Sequence, residues 1–290
     1  RNSAKAIEQA EQSFLIDETW QLALELGYQR QLACELVKSN VNARTHQTTE
    51  VQAAFCIDVR SEPLRRALES VEPSIQTLGV AGFFGLPVEY TPMGSTSSRP
   101  QLPGFFAPAL HVSDRISASD EQDKAVAKRR NRLSMLEQWH AASRWPGTAF
   151  SFVEAVGLAF IGKLAQWIKP AANTRENDDL LGVPARFKPV CRPQLLGLDV
   201  KAKTSLASQV LNAMGLKHHI APLVLLVGHG SQTNNNAHAS ALDCGACCGQ
   251  SGEVNARALA NLLNDPPVRN GLYERGIEIS PSTHFVACLH

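Results

Sequence analysis

The run Val51-Gln52-Ala53-Ala54-Phe55-Cys56-Ile57 is largely apolar and then changes at once into Asp58-Val59-Arg60-Ser61-Glu62-Pro63. A short segment of this kind reads as a buried strand, and Pro63 in the first turn of Leu64 to Ser70 reads as a helix start. Cys56, Asp58 and Arg60 then fall at the carboxyl end of the strand. In an α/β sheet this is where strand ends and helix N-termini open a crevice for ligands. If the extended conformation continues, i, i+2 and i+4 point the same way. A soft metal ligand, a hard one and a fixed cation would share one face.

The same change of character recurs further on. Ala221 to Val227 reads as a buried strand that ends in Gly228-His229-Gly230-Ser231, and Ser74 to Val80 as one that ends in the glycine-rich turn Ala81-Gly82-Phe83-Phe84-Gly85. Gly82 and Gly85 allow backbone to approach a site closely, while Phe83 and Phe84 either wall an apolar pocket or plug the turn. A fourth strand is expected over His284 to Leu289. Helices are expected over Lys201 to Leu216, stopping near Gly215, and from about Glu253 to Asn264. The fold class is therefore α/β, a Rossmann-like, mostly parallel sheet with added helices.

Ahead of this lies a helical segment, residues 1–50, in which Gly27 is expected to divide two amphipathic helices and Cys34 to be a small core residue. Residues 51–290 form the main domain, with a helical insertion at about 105–216. Thr91 to Gly104 reads as a surface loop, Ser119 to Ser143 as a solvated helix, and 170–194 as an irregular connection. Phe150 to Ile168 is apolar but carries Glu154, Lys163 and Gln166, which suits a buried or partner-facing helix better than a membrane span.

A net charge of +1, with 19% charged residues, argues against a nucleic-acid surface. Seven cysteines, an odd number in a chain with no secretory signal, argue for free thiols or metal ligands in a reducing compartment. The missing initial Met suggests a soluble piece of something longer. Taken together, Cys56, Asp58, His229 and Cys244 offer two thiolates, an imidazole and a carboxylate at or after strand ends, a donor set that suits tetrahedral zinc. Singly, a strand-end Cys is usually packing and a Gly-His-Gly turn structural.

Cys56-Ile57-Asp58-Val59-Arg60 resembles the Cys-x-Asp-x-Arg motif of β-class carbonic anhydrases, and Gly228-His229 with Cys244-Gly245-Ala246 resembles their Gly-His-x-x-Cys-Gly-Ala motif split by an inserted loop. The whole set, including Ala-Gly-Phe-Phe-Gly and Asn-Ala-Arg-Ala-Leu-Ala-Asn-Leu-Leu-Asn, is more similar to the DabA family, zinc-binding subunits of bacterial inorganic-carbon accumulation complexes. The likeness covers most of the chain from residue 50 onward. It implies Zn2+ held by Cys56, Asp58, His229 and Cys244 on a sheet like that of β-carbonic anhydrase. It also implies a DabB-like membrane partner, energy-coupled hydration of CO2 to bicarbonate, and a peripheral place on the cytoplasmic face of the bacterial inner membrane. Two departures stand out. The His-to-Cys spacing is 15 positions, so Gln232 to Asp243 must loop out and return, and Val80 and Phe83 replace the Arg and Asn that often flank the Ala-Gly turn in the anhydrases.

If Asp58 fills the fourth zinc position the site is closed; if Arg60 pairs with Asp58, a position opens for water. Asp58 and Arg60 are thus the expected catalytic gate. Two rivals remain, a zinc-stabilised binding module without catalysis and a thiol redox protein using Cys244 and Cys247. The sequence leaves room for a homo-oligomer.

Overall fold

The computed structural model describes residues 2–39, 48–116, 119–157, 178–231, 238 and 242–290. The chain divides into two compact units, Arg1–Thr48 and Thr49–His290. The first is one helix, α1 (Asn2–Ser39), running straight through Gly27 where two helices were expected. A single internal glycine costs only about 1 kcal/mol relative to alanine, and good helix formers flank it on both sides. Cys34 is exposed on this helix rather than buried in a core.

The second unit is built on a parallel sheet of β1 (Val51–Cys56), β2 (Ile75–Val80), β7 (Leu223–Gly228) and β8 (His284–Leu289), in the order β2-β1-β7-β8. All four strands lie where the apolar runs place them, and the fold is a Rossmann-like α/β arrangement. Helix α2 (Ser61–Val71) links β1 to β2; α6 (Glu253–Leu263) and α7 (Pro266–Tyr273) link β7 to β8. Alternation along β1 separates two cores. Ala54 joins Val224, Leu226 and the α6 residues Val254, Ala258 and Leu259, whereas Ala53 and Phe55 join Val227 and Leu68 of α2. Both faces are covered, as a parallel sheet requires. From β1 the chain steps one way to β2, and from β7 the other way to β8. The carboxyl ends of β1 and β7 therefore flank the point where strand order reverses, the place such sheets open a crevice.

A second sheet was not foreseen. It joins β3 (Val88–Thr91), β4 (Arg99–Gln101), β5 (Leu110–Arg115) and β6 (Arg192–Leu196) in the order β4-β3-β5-β6, with only the β3–β5 pair parallel. Thr91 to Gly104 is thus no surface loop, for Met93, Gln101 and Leu102 in it are fully buried. The stretch at about 105–216 holds β5 and β6 besides the helices α3 (Ser119–Arg144), α4 (Pro146–Val156) and α5 (Val200–Met214). Asp199 caps α5, accepting from Ala202 N–H at 2.7 Å, and Gly215 ends it with a left-handed φ of 74°. On α3, Arg129 is not part of a solvated face. It is buried and donates to the carbonyls of Met93, Asp179 and Leu181, tying the helix to the loops beside it. Of the expected helix Phe150 to Ile168, residues 158–168 lie outside the described residues; Phe150, within α4, is exposed.

Candidate metal centre

Strand β1 ends at Cys56, and the extended conformation ends with it: Arg60 has φ −94° and ψ −26°, and α2 begins at Ser61. Cys56 and Asp58 therefore part company. The Cys56 thiol points into the crevice, where its Sγ lies 3.3 Å from Nδ1 of His229. Ligand atoms of Cys56, His229 and Cys244 all lie within 4.8 Å of one another, and all three residues are buried. Two sulfurs and a nitrogen bound to one tetrahedral ion, at about 2.3 and 2.0 Å, sit roughly 3.5 Å apart, so the cluster is close to the spacing a shared metal imposes. His229 Nε2 is buried without a hydrogen-bond partner among the described residues, an orphan that an ion bound at that nitrogen would satisfy while Nδ1 keeps its contact to Cys56. The donor set fits a metal ion.

The backbone is shaped to bring these groups together. Ala81 O accepts from Phe84 N–H at 2.8 Å, and the turn this closes presents Gly82 to the sulfurs. A Cβ on Gly82 would lie 2.6 Å from Cys56 Sγ, 2.8 Å from Cys247 Sγ and 3.1 Å from Cys244 Sγ. Only a glycine fits there. Gly85 is a turn residue instead, with φ 71°, and Phe84 plugs the main core. Behind His229, Gly228 and Gly252 approach so closely that a Cβ on Gly228 would lie 2.9 Å from the Gly252 carbonyl carbon, and Gly252 N–H donates to His229 O at 2.9 Å. The separation of 15 positions between His229 and Cys244 is closed at its base. The hydroxyl of Ser231 lies 2.8 Å from both Asp243 Oδ2 and Gly249 O, so the loop leaves and returns at one point. Residues 232–237 and 239–241 of that loop lie outside the described residues.

Thiol chemistry follows from this crowding. Cys244 accepts hydrogen bonds from the Cys247 and Cys56 thiols, which pull its pKa well below the ordinary value. The same contacts, together with burial, push Cys56 and Cys247 up. These contacts favour the thiolate form of Cys244, which makes it a ready soft ligand.

Asp58 is not part of this group. Its Oδ1 accepts from the backbone N–H of Arg60 at 2.8 Å and of Ser61 at 2.9 Å, capping the start of α2, and its Oδ2 accepts from the Arg60 guanidinium at 2.9 Å. Burial raises the carboxyl's pKa, but the Arg60 bonds, the neighbouring His290 and the Ser61 N–H outweigh it and hold it below the usual value. Two residues that sequence reasoning passed over complete the surroundings. Asp243 Oδ1 lies 3.8 Å from the same Arg60 nitrogen, Nη2, that bonds Asp58, and His290 Nε2 lies 3.7 Å from Asp58 Oδ2. His290 follows the carboxyl end of β8, beside β7, and that position was its one available signal.

These features define an α/β protein that carries a Cys-His-Cys cluster able to take a metal ion at the switch point of a parallel sheet, with an Asp-Arg pair beside it. The family model described as "Probable inorganic carbon transporter subunit DabA" matches residues 2–290. The chain belongs to the DabA family. Proteins of that name are 58% identical over 97% of this chain in Methylovorus glucosotrophus (strain SIP3-4), 56% over 100% in Ralstonia pickettii (strain 12J) and 46% over 93% in Vibrio cholerae serotype O1 (strain M66-2). Those matches take in 34%, 35% and 32% of the respective relatives, so the chain spans about a third of their length. No solved structure matches it. No helix among the described residues is long and apolar enough to cross a membrane.

Proposed function

We propose that this chain is the zinc-binding part of a subunit that hydrates CO2 to bicarbonate within an energy-coupled inorganic-carbon accumulation complex. It works assembled with a DabB-like membrane partner at the cytoplasmic face of the bacterial inner membrane. The relatives' shared name, which speaks of a transporter subunit, supports both the substrate class and the existence of a partner. The observation that carries the reading is the buried meeting of Cys56, His229 and Cys244 beside a carboxylate held off by Arg60.

Two thiolates and an imidazole favour zinc over hard cations. When bound, zinc supplies Lewis acidity that lowers the pKa of a water to about 7. Cys56, His229 and Cys244 would hold the ion, and Asp58 would be the displaceable fourth ligand. The chain's own residues set which state prevails. With its carboxylate on Arg60, Asp58 would leave a fourth position open on a bound ion, and its bonds to Arg60 and Ser61 stabilise that arrangement. Turned to the cluster, it would close the site. A purely structural site has no use for a cation placed to draw one ligand away. The gate offers the membrane partner a point of control, since a shift in Arg60 switches the site without disturbing the other three ligands.

The test is Arg60→Ala in the full-length subunit assembled with its membrane partner. The variant is expected to keep zinc and fold but to abolish inorganic-carbon uptake; normal uptake would remove the gate. One observation favours the thiol redox rival, the contact between Cys247 and Cys244. Thiol titration with and without a chelator separates the two, because only bound metal masks thiols in a chelator-dependent way.

A further inference from the structure

The imidazole of His290 is nearly enclosed, its side chain 5% exposed, and its Nε2 has no hydrogen-bond partner among the described residues. A buried ring nitrogen left so is uncommon and calls for a reason. What it faces is Asp58 Oδ2, at 3.7 Å. The ring's placement is not slack. It lies against Phe55 with centroids 5.9 Å apart, and the residue's backbone is pinned on both sides of a metal-ligand candidate: His290 N–H donates to Gly228 O at 3.0 Å and Gly230 N–H donates to His290 O at 3.1 Å. Arg60, by contrast, is 41% exposed and divides its charge between Asp58 and Asp243, so an enclosed group on the carboxylate would complement it.

We propose that His290 is a positioning residue whose Nε2–H, aimed from the end of β8, works with Arg60 to keep the Asp58 carboxylate off the metal and the fourth position open. This rests on the metal site and gate described above. It ties the gate to β8, whose end carries His290.

Cobalt(II) in place of zinc reports the coordination directly, through the intensity and position of its visible bands, and azide reports whether a position is open. His290→Phe keeps a ring against Phe55 but removes the donor. It is expected to take up cobalt normally, to show the altered bands of a carboxylate-ligated ion, and to bind azide about 10-fold or more weakly, the usual effect of losing a group that orients a ligand. His290→Gln, which retains an N–H donor, should recover most of the azide affinity, and His290→Phe combined with Asp58→Ala should recover it also, because the effect runs through Asp58. Unchanged bands and azide affinity in His290→Phe overturn the inference alone, as does a loss that Asp58→Ala does not relieve. Failure of the unmutated protein to take up cobalt overturns the metal reading and this inference together.

Discussion

Gly82→Ala is the sharpest probe of the site, because its effect is steric from the start. Gly82 lacks the left-handed φ found at Gly85, so alanine fits its backbone. The new methyl would sit 2.6 Å from Cys56 Sγ and 2.8 Å from Cys247 Sγ. Restoring ordinary contacts of about 3.7 Å asks roughly 1 Å of movement from sulfurs whose neighbours are close-packed. Metal–ligand distances tolerate only about 0.2 Å, so a shift shared among the turn, Cys56 and Cys244 still spoils the cluster. In the metal-free protein the strain should cost about 1–3 kcal/mol, the usual range for overpacking. Zinc affinity should fall by about 100-fold or more, which corresponds to about 2.7 kcal/mol. Urea unfolding in excess chelator isolates the first quantity, and competition against a chromophoric chelator gives the second. Zinc affinity within about twofold of the unmutated protein, with folding intact, would refute the convergence of the sulfurs on Gly82.

Zinc should copurify with the unmutated chain and be largely lost, by elemental analysis, from Cys56→Ser and from Cys244→Ser, while Cys247→Ser keeps it; metal loss from Cys247→Ser with Cys244→Ser unaffected would reassign the ligand. Asn255, buried on α6, donates through Nδ2 toward the carbonyls of Phe83, Leu86 and Gln101 at 3.0–3.2 Å. Asn255→Ala should cost about 2–3 kcal/mol in urea unfolding and loosen the Gly82 turn; a cost near zero would mean these carbonyls find other partners. Asp114 lies buried beside Tyr90, whose hydroxyl donates to it, yet burial wins and raises its pKa. The folded protein therefore holds this proton where the unfolded chain, at about 3.9, has lost it, and stability declines as pH rises from about 4 through the raised value. Asp114→Asn should flatten that decline in unfolding measured between about pH 4 and 7, and an unchanged slope would count against the assignment.

How much of this was legible in the sequence differs from element to element. The central sheet was, because its strands are buried on both faces and so stand out as apolar runs bounded by abrupt polar ends. The second sheet was not. Strands such as Arg99–Gln101 and Arg192–Leu196 are short, contain proline and alternate weakly, so only their pairing with β3 and β5 makes them strands. Gly82 could be marked as a close-approach position, though not which atoms approach it.

The sequence by itself determined the donor types and their attachment to strand ends. Cys56 and His229 each follow an apolar run, and two parallel strands side by side bring their ends to one edge. Tertiary structure alone decided which donors meet. Period-two reasoning put Cys56 and Asp58 on one face, but the free N–H groups at the start of α2 compete for the carboxylate and turn it to Arg60 and Ser61. Likewise, the Ser231–Asp243 contact brings Cys244 back across a separation that no local rule closes, and the β7–β8 pairing sets His290 beside Asp58 from the far end of the chain. Local interactions are written in neighbouring residues. Contacts such as these depend on chain closure and on competition for hydrogen bonds, and the folded packing settles both.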